Sequence, residues 1–143
     1  MRLKEIIYNS TEYLKRKGVP SAKYDTELLL SHVLGVSRME LYLEFDKIIN
    51  PDVADVIRQS VAKRGERVPL QYILGDTIFL DCKIDVKETV LIPRPETEYM
   101  VKSIIDTCEL LINENRFLHP TILDLCTGSG AIAIALKKKK NLL

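Results

Sequence analysis

The sequence predicts an α+β chain in which an all-helical bundle precedes a short β-strand linker and the start of an α/β unit. Residues 1–65 carry apolar side chains at helical spacing between capping and chain-breaking residues. Residues 77–86 partly alternate in polarity and are rich in β-forming residues. Residues 121–136 contain an apolar run, a glycine-rich turn and a series of helix formers, in the order of a strand–turn–helix unit.

The composition is that of an ordinary globular protein, with 46% hydrophobic and 29% charged residues. A formal net charge of +1 gives no general attraction to nucleic acid. No apolar run approaches the roughly 20 residues of a membrane helix and no signal peptide is evident, so we expect a cytoplasmic location. The three cysteines lie far apart without a C-x-x-C pair, which argues against disulfides and against a zinc site.

The first two helices are bounded by small and helix-breaking residues. We expect one helix over residues 3–17 that ends at Gly18, and a second over residues 21–34 that ends at Gly35. Ser21 is the expected N-cap of the second helix. His32 lies in that helix without the spacing of a metal or catalytic site, so we expect it to be a surface or core-edge residue.

Capping residues also mark the next two helices. Ser37 has capping-box spacing with Glu40, which predicts a short third helix. Asn50 followed by Pro51 predicts the start of a fourth helix, which ends near Gly65. Four helices joined by short loops are sufficient for a small bundle.

The pattern changes after the fourth helix. Residues 69–74 are expected to add one further turn, and residues 77–86 one or two strands. The boundary between domains is expected between residues 66 and 76. Residues 96–113 have apolar side chains at helical spacing and predict a helix that packs on a sheet. The expected division is a helical domain over 1–70, a linker with β-strands over 71–92, and the beginning of an α/β domain over 93–143.

The segment around two glycines has the pattern of a ligand-binding turn. Residues 122–125 form a short apolar run that only Asp124 interrupts, as in a strand buried on both faces. Gly128 and Gly130 allow the backbone to turn sharply and to approach a ligand closely. The helix that follows would place its N-terminus at the carboxyl end of the strand, where a ligand crevice is expected. The alternative is an ordinary turn whose glycines serve geometry alone.

A second motif, Leu-Ile-Pro-Arg-Pro-Glu-Thr-Glu, occupies residues 91–98. Its prolines fix an extended entry into a helix, and its acids suit the positive end of the helix dipole. Together with Asp-Leu-Cys-Thr-Gly-Ser-Gly at residues 124–130, it resembles the release-factor glutamine methyltransferase family, also called HemK or PrmC. The resemblance extends through Pro-Leu-Gln-Tyr-Ile-Leu-Gly at residues 69–75 and, more loosely, through residues 25–33.

The glycine loop is similar to the first motif of class I S-adenosylmethionine-dependent methyltransferases, so the resemblance implies a Rossmann-like catalytic domain with S-adenosylmethionine as its cofactor. It implies no metal and assigns no catalytic residue in this stretch. Many relatives carry glycine where this chain has Cys126, and we expect the turn to use a conformation open to L-residues there. The implied cofactor-binding residues are Arg94, Glu98, Asp124, Cys126, Thr127, Gly128, Ser129 and Gly130.

The implied reaction is methylation of a glutamine side-chain amide in a peptide chain release factor, a step in translation termination. The family's Asn-Pro-Pro-Tyr motif does not occur here, and the ribose-binding acid, roughly 20 residues beyond the glycine loop, would fall past Leu143. We therefore expect the N-terminal part of a longer enzyme, inactive alone, in which the residues after about 121 lack sheet neighbours and are frayed.

Two alternatives stay open. The first is a nucleic-acid amino-methyltransferase with the same cofactor loop, although the near-neutral charge and the Pro-Arg-Pro motif count against it. Contact with nucleic acid is expected only indirectly, through the termination machinery. The second is a helical protein-binding module over residues 1–70, which would recruit a substrate. No membrane partner is expected.

Overall fold

The computed structural model describes residues 1–114 and 121–138. The chain divides into two compact units, Met1–Leu74 and Gly75–Leu143. Within the described residues, no helix has the length and apolar character needed to cross a membrane. His119, the second histidine of the sequence, lies outside the described residues.

The named elements of the first unit are all helices, which confirms the predicted N-terminal helical part. They are α1 (Leu3–Arg16), α2 (Ala22–Leu34), α3 (Arg38–Leu43), α4 (Pro51–Gly65) and α5 (Leu70–Leu74). The shorter helices, α3 and α5, lie next to the longer α2, and α5 also packs on α4.

The helix ends follow the predicted caps with one exception. Ser37 and Glu40 form the capping box: the Ser37 hydroxyl accepts from the Glu40 N–H at 3.3 Å, and the Ser37 N–H donates to the Glu40 carboxylate at 2.7 Å. Asn50 caps α4 through its side-chain oxygen, which accepts from the Asp52 N–H at 2.8 Å. Ser21 occupies the N-cap position of α2 but makes no side-chain capping bond.

The core of the first unit lies between α1, α2 and α4, which pack against one another. Leu14, Leu29 and Leu30 are almost completely buried. The charged pair of Asp25 and Arg64 fastens α2 to α4, with the Arg64 Nε 2.7 Å from the Asp25 Oδ2. Arg64 also donates to the Val68 carbonyl at 3.1 Å. The unit therefore buries its apolar core with its own helices and pairs the buried Asp25 with an arginine of its own.

Glu27 is a second buried acid, with 1% of its surface exposed. Its carboxylate accepts from the Tyr42 hydroxyl and from the Arg38 guanidinium, both on α3. Burial raises the pKa of Glu27, but these hydrogen bonds and the Arg38 charge outweigh it and hold the pKa below its ordinary value. Glu27 therefore stays ionised and ties α3 to α2.

The second unit begins with an antiparallel hairpin, in agreement with the predicted β-linker. Strand β1 (Asp76–Phe79) pairs with β2 (Cys82–Asp85), and Phe79 lies opposite Cys82 across a two-residue turn. Helix α7 (Ala131–Lys138) packs against β2 and against α6 (Pro95–Asn113). The buried side chains of this unit come from the hairpin and from both helices: Phe79, Cys82, Ile84, Val86, Val101, Ile105, Cys108, Ala131, Ala135 and Leu136.

The strand predicted for residues 122–125 is not formed. These residues have no regular secondary structure, and Leu123 and Leu125 are 78% and 75% exposed. A strand needs a neighbouring backbone to complete its hydrogen bonds. The sheet of the described residues contains β1 and β2 alone, and those two pair with each other. Residues 122–125 therefore have the composition of a buried strand, but no other strand of the described residues pairs with them.

Candidate cofactor-binding site

The glycine loop directly precedes α7, and hydrogen bonds between its own residues stabilise it. The Thr127 hydroxyl donates to the Asp124 carboxylate at 2.7 Å, and the Gly130 N–H donates to the Thr127 carbonyl at 3.0 Å. The Gly130 carbonyl accepts from the Ile134 N–H at 2.9 Å, so the helix begins directly from the loop. Asp124 is thus held toward the loop.

Three alternate residues of the loop are left-handed, with φ of 60° at Cys126, 59° at Gly128 and 76° at Gly130. The expectation that Cys126 avoids this region is therefore wrong. The loop has a positive φ at every second residue, and a cysteine in this region costs roughly 1–2 kcal/mol. The signal in the sequence was the spacing itself, because Cys126 stands two residues before a glycine that stands two residues before another.

Space around the glycines is open. A Cβ at Gly128 would come no closer than 3.9 Å, to the Cys126 carbonyl oxygen, and one at Gly130 would meet the Ile134 Cδ1 at 3.5 Å. Side chains are therefore disfavoured here by the backbone conformation and not by a clash with the protein. Cys126, Thr127 and Gly128 are exposed and Ser129 is half-buried, so the backbone of the loop is accessible to a ligand.

The Pro-Arg-Pro motif forms the start of α6. Arg94 is the N-cap residue in an extended conformation, with φ of −88° and ψ of 143°, and Pro95 is the first helical residue. The Arg94 side chain is exposed, whereas Glu98 is half-buried. Arg94 therefore sits at the positive end of the α6 dipole with its guanidinium accessible.

Glu98 makes a contact that the sequence did not predict. Its Oε1 accepts a hydrogen bond from the Leu80 N–H in the hairpin turn at 3.0 Å. The two residues are 18 positions apart, and no local pattern relates them. One carboxylate oxygen of a predicted cofactor residue is thus engaged with the protein itself.

The arrangement offers a ligand the N-terminus of α7 and an exposed loop backbone in the same unit as the N-terminus of α6. Unpaired N–H groups and the helix dipole favour a negatively charged or polar ligand group at such a place. His32 is exposed on α2, in the other unit. Among residues 1–114 and 121–138, no cluster of three or more histidines, cysteines or acids could hold a metal ion.

Known proteins match this chain along most of its length. Residues 5–75 match the family model of the PrmC N-terminal domain. A release factor glutamine methyltransferase of Rhodopirellula baltica is 40% identical over 129 residues, which cover 90% of this chain and 43% of the relative. Proteins of the same name from Geobacter sulfurreducens and Leptospira interrogans are 43% and 38% identical, over 89% and 92% of this chain.

The chain spans less than half the length of these curated relatives, 42–44% in the three cases. The domain model covers nearly all of the helical unit. The similarity to the curated relatives also covers most of the second unit, which contains the glycine loop. Residues 5–75 therefore belong to the PrmC N-terminal domain family, and about nine-tenths of the chain is similar in sequence to release factor glutamine methyltransferases.

Proposed function

We propose that the protein, at the full length of its relatives, transfers a methyl group from S-adenosylmethionine to a glutamine side-chain amide of a peptide chain release factor. The observation that carries this proposal is the exposed glycine loop, with three left-handed residues, at the N-terminus of α7. The names of the relatives support the methyl transfer and the substrate class.

The loop fits the amino-acid end of such a cofactor. The open space beside Gly128 and Gly130 lets a ligand approach the backbone, and the N-terminus of α7 favours a carboxylate. S-adenosylmethionine supplies an activated methyl group when bound. The residues proposed to form or border its site are Arg94, Glu98, Asp124, Cys126, Thr127, Gly128, Ser129 and Gly130.

The acceptor determines what else the enzyme needs. An amide nitrogen is a poor nucleophile because its lone pair is delocalised, so catalysis depends on positioning and on acceptors that polarise the NH₂ group. We assign no such acceptor within residues 1–143. We propose that the 143-residue chain alone neither transfers methyl groups nor binds the cofactor tightly, in keeping with its coverage of less than half of each relative.

The helical unit is proposed to recruit or orient the release factor. It closes its own core, matches the PrmC N-terminal domain model, and leaves apolar side chains such as Met39 and Leu43 on its surface. A module with a complete core can present such a surface without depending on the catalytic part for its stability.

A methyl-transfer assay with radiolabelled S-adenosylmethionine tests the proposal. We expect a full-length form of the protein to label release factor and not tRNA or DNA. Labelling should disappear when the target glutamine of the release factor is replaced by alanine. Preferential labelling of nucleic acid would overturn the proposal in favour of an amino-methyltransferase acting on bases.

Matched variants test the loop. Gly130→Val should weaken S-adenosylmethionine binding by tenfold or more, because a β-branched residue is strained at φ of 76° and its side chain fills the approach to the backbone. His32→Ala, in the other unit, should bind as the unaltered protein does. Equal affinity of Gly130→Val and the unaltered protein, measured by calorimetric titration, would remove the loop from the site.

A further inference from the structure

Two helices of the second unit contact the same hairpin turn. The Leu80 N–H donates to the Glu98 Oε1, in the first turn of α6, at 3.0 Å. The Asp81 carbonyl accepts from the Lys138 Nζ, in the last turn of α7, at 2.5 Å, and the Asp81 carboxylate lies 3.4 Å from the same ammonium group. The start of α6 and the end of α7 are therefore fastened to one two-residue turn.

The turn needs these contacts because its first residue does not favour it. Two-residue hairpin turns require left-handed backbone conformations and are usually built from glycine, asparagine or aspartate. Here the first turn residue is Leu80, at φ of 54°. Leucine is disfavoured in that region, so hydrogen bonds from outside the hairpin stabilise the conformation.

The turn also links the elements that carry the candidate site. Glu98 lies one helical turn after Arg94, the N-cap of α6. The strand that follows the turn, β2, packs on α7, and α7 begins at Gly130. A displacement of the turn would therefore move the N-terminus of α6 relative to the glycine loop.

We propose that Glu98 is a positioning residue of the donor site, which acts through the Leu80 amide and not by direct contact with the cofactor. This inference rests on the proposed function for the identity of the site. The carboxylate is needed as a hydrogen-bond acceptor. Its charge is not required, because a glutamine carbonyl oxygen can accept from the same N–H.

Glu98→Ala and Glu98→Gln distinguish a hydrogen-bond acceptor for the Leu80 amide from a charge that contacts the cofactor. Variants of Glu96 are the matched control. Glu96 is an exposed acid in the same first turn of α6, so its replacement changes the interaction with the helix dipole to a similar extent. Hydrogen exchange of the Leu80 amide is measured by NMR in the 143-residue chain. The affinity for S-adenosylmethionine is measured by calorimetry in the full-length form.

We expect Glu98→Ala to speed exchange of the Leu80 amide on the order of tenfold, because its part-buried hydrogen bond is lost. The same variant should weaken S-adenosylmethionine binding. Glu98→Gln should restore both quantities to within about threefold of the unaltered protein, a difference of well under 1.4 kcal/mol. Glu96→Ala and Glu96→Gln should leave both unchanged.

Two results would overturn the inference. In one, Glu98→Ala leaves the Leu80 amide unchanged; in the other, Glu98→Gln keeps that amide protected but loses cofactor affinity as fully as Glu98→Ala, which would mean that the charge contacts the ligand. If the unaltered full-length form does not bind S-adenosylmethionine, the proposed function fails and Glu98 has no donor site to position. The exchange rate of Leu80 still decides, in that case, whether Glu98 holds the turn.

Discussion

The two units of this chain differ in how completely they bury their own apolar residues. In the helical unit, Leu14, Leu29 and Leu30 are at most 1% exposed, and α1, α2 and α4 enclose them. In the second unit the hairpin and the two helices share a small core, yet Leu123 and Leu125 are at least 75% exposed. An amphipathic helix finds its partners among nearby helices, whereas a strand buried on both faces needs neighbours from distant parts of a sheet.

The charged residues show the same contrast. Asp25 and Glu27 are buried in the helical unit, and each is paired with an arginine from a neighbouring helix. In the second unit, Asp81 at the hairpin turn is exposed, and Glu98 on α6 and Asp124 in the glycine loop are half-buried. The helical unit uses buried charge to fix helix packing, and the second unit uses accessible charge to shape turns.

The largest effect is expected in the helical core. Leu30→Ala should lower the free energy of unfolding of this unit by about 2–5 kcal/mol, because Leu30 is fully buried and its truncation leaves a cavity. Leu43→Ala, at a leucine that is 84% exposed, should change it by less than about 0.5 kcal/mol. Urea unfolding followed by helical circular dichroism measures both. A similar loss in the two variants would show that the core is placed wrongly.

A smaller effect is expected at Glu27. At neutral pH, Glu27→Gln should cost about 1–3 kcal/mol, because the carboxylate accepts from Arg38 and Tyr42 while buried. The pKa of Glu27 is lower in the folded state than its ordinary value of 4.5, so its contribution is fully present above that pH. It is lost as the pH falls through the folded-state pKa.

The difference in unfolding free energy between Glu27→Gln and the unaltered chain should therefore shrink as the pH is lowered below about 4.5. Glu66→Gln, at an exposed glutamate in the same unit, is the control and should differ little from the unaltered chain at pH 7. A gap for Glu27→Gln that stays constant down to pH 3 would contradict the assignment.

The smallest effect is expected in the glycine loop. Cys126→Gly should stabilise the loop by about 0.5–1 kcal/mol, because relief of the left-handed cysteine exceeds the entropy cost of the new glycine. Ser129→Gly, at a residue outside the left-handed region, should give no such gain. Exchange of the Gly130 amide, which is bonded to the Thr127 carbonyl, reports the difference. Faster exchange in Cys126→Gly would argue against strain at this position.

How far the sequence predicts this molecule depends on the range of the interactions concerned. The capping box of Ser37 and Glu40 and the start of α4 at Pro51 were predictable because each depends on residues within one turn. The pairing of Asp25 with Arg64, 39 residues apart, and that of Glu98 with Leu80 were not, since no local pattern encodes them.

The candidate site contains features that local motifs predict and features that they do not. The glycine loop and the start of α6 were identified from their motifs, and the structure gives the loop an exposed backbone at a helix N-terminus. Residues 122–125 have the composition of a strand, and the expectation that they lack sheet neighbours in this chain is confirmed for the described residues, whose sheet contains β1 and β2 alone. The positive φ of Cys126 is not expected from a cysteine, but it follows the two-residue spacing of Gly128 and Gly130.

Hydrogen exchange over the whole 143-residue chain tests the contrast between the two units most directly. We expect the amides of Leu14, Leu30 and Ile57, which lie within α1, α2 and α4, to exchange together and only through cooperative unfolding of the helical unit. The amides of Leu123 and Leu125 should exchange close to the rate of an unprotected peptide, because residues 122–125 are not paired in a sheet. Protection of Leu123 and Leu125 equal to that of Leu30 would contradict the account.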